Sequence, residues 1–132
     1  MARLYFENAL GRILEHADGY AWLHYHAGAR NLADVQAFLV HTGRLLQRRG
    51  WHKMLSDQRL LKPFTEADQA LILDYWRARR VEAGPVTGAV LLSQDVFTRL
   101  SFSQIRHQAN GVLAYRLFEK EAEATAWLSQ QP

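Results

Sequence analysis

Trp22, His24 and His26 alternate along the run YAWLHYHAG, so in an extended strand all three project from one face. Two imidazoles at that spacing are the beginning of a divalent-metal site, which needs at least a third ligand. His16, across a predicted hairpin, is the nearest further imidazole, and the run carries no carboxylate. We therefore expect no metal there. A strand face carrying an indole and two imidazoles suits a subunit or partner interface, where amphipathic rings are enriched. Trp22, His24 and His26 are the expected interface residues, for a homodimer or another protein partner.

Other reaction chemistry lacks its motifs. His41, His52 and His107 stand alone in the sequence, and there is no Gly-x-Ser-x-Gly elbow for a nucleophile. Neither a Walker loop nor Gly-x-Gly-x-x-Gly is present, and GPVTG reads as a turn. The acidic residues are scattered, so no buried acid–base pair is expected. Cysteine is absent, which removes disulfides, thiolate metal sites and a thiol nucleophile. The expectation is a non-enzymatic chain with no catalytic residue and no cofactor.

The elements that must position these residues follow from periodicity. RLYFEN and GRILEH read as strands, and Asp18-Gly19 between two alternating runs predicts a hairpin with a type I′ turn, positive φ being required at both central positions. From Asn31 to Arg49 the period becomes helical: Leu32, Val35, Phe38, Leu39, Leu45 and Leu46 form a stripe, Asn31 is a suitable N-cap, and Gly50 a stop. WHKMLS is a short strand expected near the middle of the sheet. A helix from Thr65 to about Arg80 presents Leu71, Ile72, Tyr75 and Trp76 to one side, and GAVLL is a buried strand. Residues 94–110 carry Val96, Phe97, Leu100 and Ile105 in a loosely helical spacing. LAYRLF then predicts a last strand and EKEAEATAWLSQQ a last helix, with Ala124, Trp127 and Leu128 inward and acidic residues in its first turn, as the helix dipole favours. Trp76 and Trp127 are expected in the core.

Three antiparallel strands followed by repeated helix–strand alternation imply an α/β fold. Its mixed β-sheet has parallel strands joined by right-handed crossovers and about four helices, in a single domain spanning 1–132. The 132 residues are 48% apolar and 22% charged, a composition of ordinary globular proteins. The N-terminal residues lack the apolar core of a secretory signal, and no apolar run is long enough to span a membrane. A cytoplasmic location is expected. Sixteen basic against 13 acidic residues give a net charge of +3. The densest basic groups, Arg48 with Arg49 and Arg77 with Arg79 and Arg80, fall at predicted helix C-termini, where they complement the dipole; nucleic-acid binding is not expected.

The hairpin DGYAWLHYHAG, the strand HKMLSD after a long helix, and the closing YRLFEKEAEATAWL resemble the SpoIIAA-like group of the STAS superfamily. In the closing segment the resemblance rests on Phe118, Glu119, Glu121, Ala122, Trp127 and Leu128. It implies a mixed sheet with helices and a regulatory or protein-interaction module, in which a Ser or Thr near the start of the helix after the central strand is phosphorylated and so controls binding to a partner kinase. Here Thr65 and Ser56 occupy that region, with Thr65 preferred because a helix N-terminus accommodates a phosphate. Asp57 and Arg59 are the accompanying loop contacts. The chain has a longer DQRLLKPFTEAD in place of the tight Asp-Ser-Ser/Thr-Gly turn, and Thr65 with Asp68 also reads as a capping box. Likeness to CRAL-TRIO-type lipid binders implies an alternative: a carrier or sensor holding a small apolar ligand between sheet and a mobile helix, lined by Phe97, Leu100, Phe102 and Ile105.

Overall fold

The computed structural model describes residues 2–108 and 114–132, without the side chains of residues 107 and 108. Leu113, predicted to open the last strand, and Ala109 and Asn110, predicted to end the preceding helix, lie outside the described residues. The elements are β1 (Ala2–Glu7), β2 (Gly11–His16), β3 (Tyr20–Tyr25), α1 (Leu32–Arg49), β4 (Lys53–Asp57), α2 (Glu66–Ala83), β5 (Thr87–Leu91), α3 (Val96–Gln108), β6 (Ala114–Phe118) and α4 (Glu121–Ser129). The strands form one six-stranded sheet whose spatial order follows chain order. β1, β2 and β3 pair antiparallel, while β3, β4, β5 and β6 pair parallel. This is the mixed α/β architecture that the alternation of elements predicts.

Chain-order strands have a direct consequence for the layers. Each right-handed crossover advances the sheet in the same direction, so α1, α2 and α3 share one face. Their side of the core contains Ile13, Leu23, Val35, Phe38, Leu45, Leu46, Met54, Leu73 and Trp76. The last helix, α4, lies against β4, β5 and β6 on the other face, where Ala124 and Leu128 pack on Tyr20, Leu55, Ala89 and Leu91. No described helix covers that face over β1, β2 and most of β3. Leu4, Leu14 and Trp22 are paired in register across it, as are His16 with Tyr20 and Arg12 with His24.

Local chemistry sets the element ends. Asn31 and Asp34 form a reciprocal capping box at α1, each side chain accepting from the other's backbone N–H at 2.9 Å. Gly50 closes α1 with φ 66°. Of the predicted α1 stripe, Leu32 is instead 46% exposed, because it opens the first turn, ahead of the part of the helix that meets the sheet. α2 runs on to Ala83, beyond the expected end near Arg80, and its buried stripe is Leu73, Trp76 and Arg79, the guanidinium lying 5.9 Å over the Trp76 ring.

The hairpin differs from the type I′ expectation. His16 pairs with Tyr20, which leaves a three-residue loop in which Gly19 N–H donates to the His16 carbonyl at 3.0 Å. Only Gly19 takes a positive φ, 88°; Asp18 does not. The added loop residue lets the glycine absorb the one left-handed conformation, so Asp18 is spared it. At the sheet edge a register shift at Tyr5 interrupts β1, a feature that limits edge-to-edge pairing.

Gly11 marks a close backbone approach: a Cβ there would stand 2.5 Å from the His24 carbonyl oxygen. Since the obstacle is backbone in an adjacent paired strand, Gly11→Ala is expected to destabilise the fold by about 1–3 kcal/mol, the usual cost of overpacking. A urea midpoint equal to that of the wild type would refute this.

Candidate interaction site at the carboxyl end of the sheet

Parallel pairing of β3 to β6 brings the loops that follow these strands to one end of the sheet. β4 ends there at Asp57, whose side chain is 3% exposed. The parallel register sets His24 level with it, with Nε2 3.8 Å from Oδ2. Arg59 folds back from the loop, donating Nε to Oδ1 at 2.9 Å and Nη2 to Oδ2 at 2.7 Å, the bidentate geometry that guanidinium favours. The same Nη2 donates to Glu121 Oε1 at 3.0 Å, at the first residue of α4. Burial alone would raise the Asp57 pKa, but the hydrogen bonds and charge of Arg59, with the nearby His24, outweigh it and hold the carboxyl below its ordinary 3.8. With both oxygens committed to Arg59, the carboxylate serves to fasten β4, its loop and α4 together.

The fold therefore joins two groups that are separate in the sequence, the Trp22–His24–His26 face and the Asp57–Arg59 pair. Trp22 and His24 meet edge to face at 6.3 Å, and His24 and His26 at 6.5 Å. His26 Nε2 lies 2.8 Å from Glu7 Oε2, while His16 stacks on Tyr20 at 4.3 Å. Arg12 Nε, Trp22 Nε1 and His24 Nδ1 are buried without a hydrogen-bond partner. Among the described residues no group of three ligating side chains converges to hold a metal ion.

The β4–α2 loop is held by Arg30, a residue with no sequence signal for this role. Its Nη1 donates to the Lys62 carbonyl at 3.1 Å, and its Nη2 to the Pro63 carbonyl at 2.9 Å and to Asp68 Oδ2 at 3.2 Å. Its guanidinium also lies 5.4 Å over the Phe64 ring. Thr65 is exposed and caps α2: Asp68 N–H donates to its Oγ1 at 3.0 Å and its own N–H donates to Asp68 Oδ2 at 3.1 Å. Ser56 is 8% exposed, inside the layer beneath α1 and α2. There it neighbours the Tyr25 hydroxyl, which burial pushes up to about 12 against smaller opposing effects of Ser56 and Arg30. Of the two candidate phospho-acceptors, Thr65 alone reaches solvent.

α3 is turned inside out relative to an ordinary amphipathic helix. Thr98, Ser101 and Ile105 face inward. Thr98 Oγ1 donates to the Leu61 carbonyl at 2.8 Å, and Ser101 Oγ accepts from Phe64 N–H at 3.0 Å. These hydroxyls satisfy loop backbone that would otherwise be buried unpaired. Apolar side chains point outward instead: Val96 is 72% exposed, Phe97 70% and Leu100 56%, with Leu60 of the adjoining loop at 55%. Arg99 and Glu119 stand nearby at 3.5 Å. Of the four residues expected to line an apolar ligand, Phe102 and Ile105 do border a cavity between the sheet and the helices, whereas Phe97 and Leu100 face solvent. That cavity is about 70 Å³ and is also bordered by Tyr25, Phe38, Phe64 and Trp76.

No protein-family model matches the chain, and no curated protein is recognisably similar to it. Among the described residues no helix is long and apolar enough to cross a membrane.

Arg59→Met leaves Asp57 buried without its partner. At neutral pH the expected loss is about 2–3 kcal/mol, below the range for a fully buried pair because Arg59 is 44% exposed. In the wild type the depressed pKa contributes stability above pH 3.8, lost as pH falls through the lower folded value. In the variant burial raises that pKa, so acidification relieves the penalty. The gap between the two urea midpoints should narrow from pH 7 towards pH 4; a gap independent of pH would count against this assignment.

Proposed function

We propose that the chain is a protein-interaction module of the STAS/SpoIIAA-like type, acting in the cytoplasm by binding and not by catalysis. It docks a protein partner on Leu60 and the outward face of α3, and phosphorylation at Thr65 regulates the contact. The observation that carries this reading is the exposure of Val96, Phe97 and Leu100 on a helix whose inner face is built from hydroxyls. Leaving such side chains in water forgoes about 25 cal/mol for each Å² of apolar surface a partner would cover. The Arg59–Glu121 and Arg99–Glu119 pairs add charged groups at the same end of the sheet, an arrangement suited to an apolar centre with a polar surround.

Thr65 fits the regulatory role through Arg30. A phosphate there would be favoured by the α2 N-terminus and would compete with Asp68 for the Arg30 guanidinium, which also holds the Lys62 and Pro63 carbonyls. Freeing those carbonyls loosens the loop that presents Leu60. The ligand-carrier alternative is less well supported: a cavity of about 70 Å³ falls well short of the roughly 300–1,000 Å³ of drug-sized sites. Enlarging it by moving α3 would break the Thr98 and Ser101 bonds to the loop.

A photo-crosslinking side chain at position 97 should capture one discrete partner in host cells, and the same group at exposed position 81, on α2, should not. Equal capture from both positions would reject the docking surface. Thr65→Ala should cost about 1 kcal/mol through loss of the cap and abolish labelling by the cognate kinase. Labelling that persists would remove Thr65 from the scheme.

A further inference from the structure

On the helical face, well away from the carboxyl-end surface, α1 and α2 leave between them a groove of about 250 Å³. Gly43, Arg44 and Gln47 line it from α1, and Tyr75, Arg79 and Glu82 from α2. Gly43 is what allows the helices this geometry: a Cβ there would stand 1.8 Å from the Tyr75 hydroxyl oxygen and 3.5 Å from Arg79 Nε.

The charges in this groove do not balance internally. Arg79 is 8% exposed, and its Nη1 is buried with no hydrogen-bond partner. Its Nε and Nη2 also make no hydrogen bond, and among the described residues no carboxylate comes within ion-pair distance; its one marked contact is the Trp76 ring. A buried guanidinium is costly unless a counter-charge or full hydrogen bonding compensates it. Arg44, on the facing helix, is likewise without an ion pair, and Glu82, the one carboxylate lining the groove, is exposed and pairs with neither. The Tyr75 hydroxyl senses the surrounding charges: burial raises its pKa, Arg79 and Arg44 oppose the rise, and Glu82 adds to it.

We infer that this groove is a binding site for a small oxyanion of the phosphate or phosphate-monoester class. The anion is held between Arg79 and Arg44, with the Tyr75 hydroxyl and the Gln47 amide as further donors. Guanidinium groups from two helices, with neutral donors beside them, suit an oxyanion that offers acceptors in several directions. Occupation supplies the counter-charge that the fold leaves out at Arg79.

The test is a titration of the full chain with inorganic phosphate at constant ionic strength, following the amide resonances of Gly43 and Tyr75 and the Trp76 indole by NMR. Saturable shifts are expected, with the dissociation constant raised at least tenfold in Arg79→Met and about threefold in Arg44→Gln. Because Arg44 is exposed, its variant keeps the test valid if Arg79→Met does not fold. Phenyl phosphate and phosphatidylcholine vesicles containing phosphatidic acid separate the sources: tighter binding of the former assigns a soluble monoester, and Arg79-dependent vesicle flotation assigns a lipid headgroup. Non-saturable shifts, shifts reproduced by chloride, or shifts unchanged in both variants would overturn the inference.

Discussion

When neighbouring parallel strands follow one another in chain order, a right-handed crossover has only one face of the sheet on which to lay its helix. Three successive crossovers here accumulate α1, α2 and α3 on that face. The opposite face is left to whatever follows β6, and α4, with nine residues, reaches only β4 to β6. Much else follows from this unequal cover: the partly open face with Trp22 and His24, the need to anchor a short helix, and the groove between two long neighbouring helices.

Anchoring falls to Asp57 and Arg59. A buried carboxylate would ordinarily be a liability, yet bidentate pairing reverses the sign of its pKa shift, and the same guanidinium extends to Glu121 at the start of α4. Arg30 works in a related way on the next loop, spending its donors on two carbonyls and Asp68. Arg79 is the contrast. It is buried as deeply as a core residue but stacked only on an indole, which gives partial compensation for a full charge. Three arginines in one small fold thus occupy three electrostatic states: shared between two carboxylates, spread over a loop, and unmatched.

α3 shows how backbone requirements can reverse the usual distribution of side chains. The β4–α2 loop passes beneath it with Leu61 and Phe64 buried, so its carbonyl and N–H groups need partners inside the protein. Thr98 and Ser101 supply them, and the helix must then turn that side inward. Its apolar residues are placed outside by the same rotation.

Periodicity and punctuation carried most of the architecture. The Asn31 and Thr65 caps, Gly50, the stripe of Val35, Phe38 and Leu45, and the alternation in YAWLHY are local signals, because hydrogen bonding and side-chain direction within one element repeat at its own period. The Thr65–Asp68 box could likewise be read directly, since its partners are three residues apart. What the residues alone could not decide was anything that depends on the distance between elements. Asp57 meets His24 through strand register, Arg30 meets Asp68 across 38 positions, and Gly43 admits Tyr75 from another helix. The rotation of α3 belongs to the same class: Val96, Phe97 and Leu100 have the spacing of an inward stripe, and only the unpaired backbone of a loop distant in sequence turned them to solvent. Local sequence determines what each segment can form, whereas burial and charge pairing are settled when segments compete for the same interior.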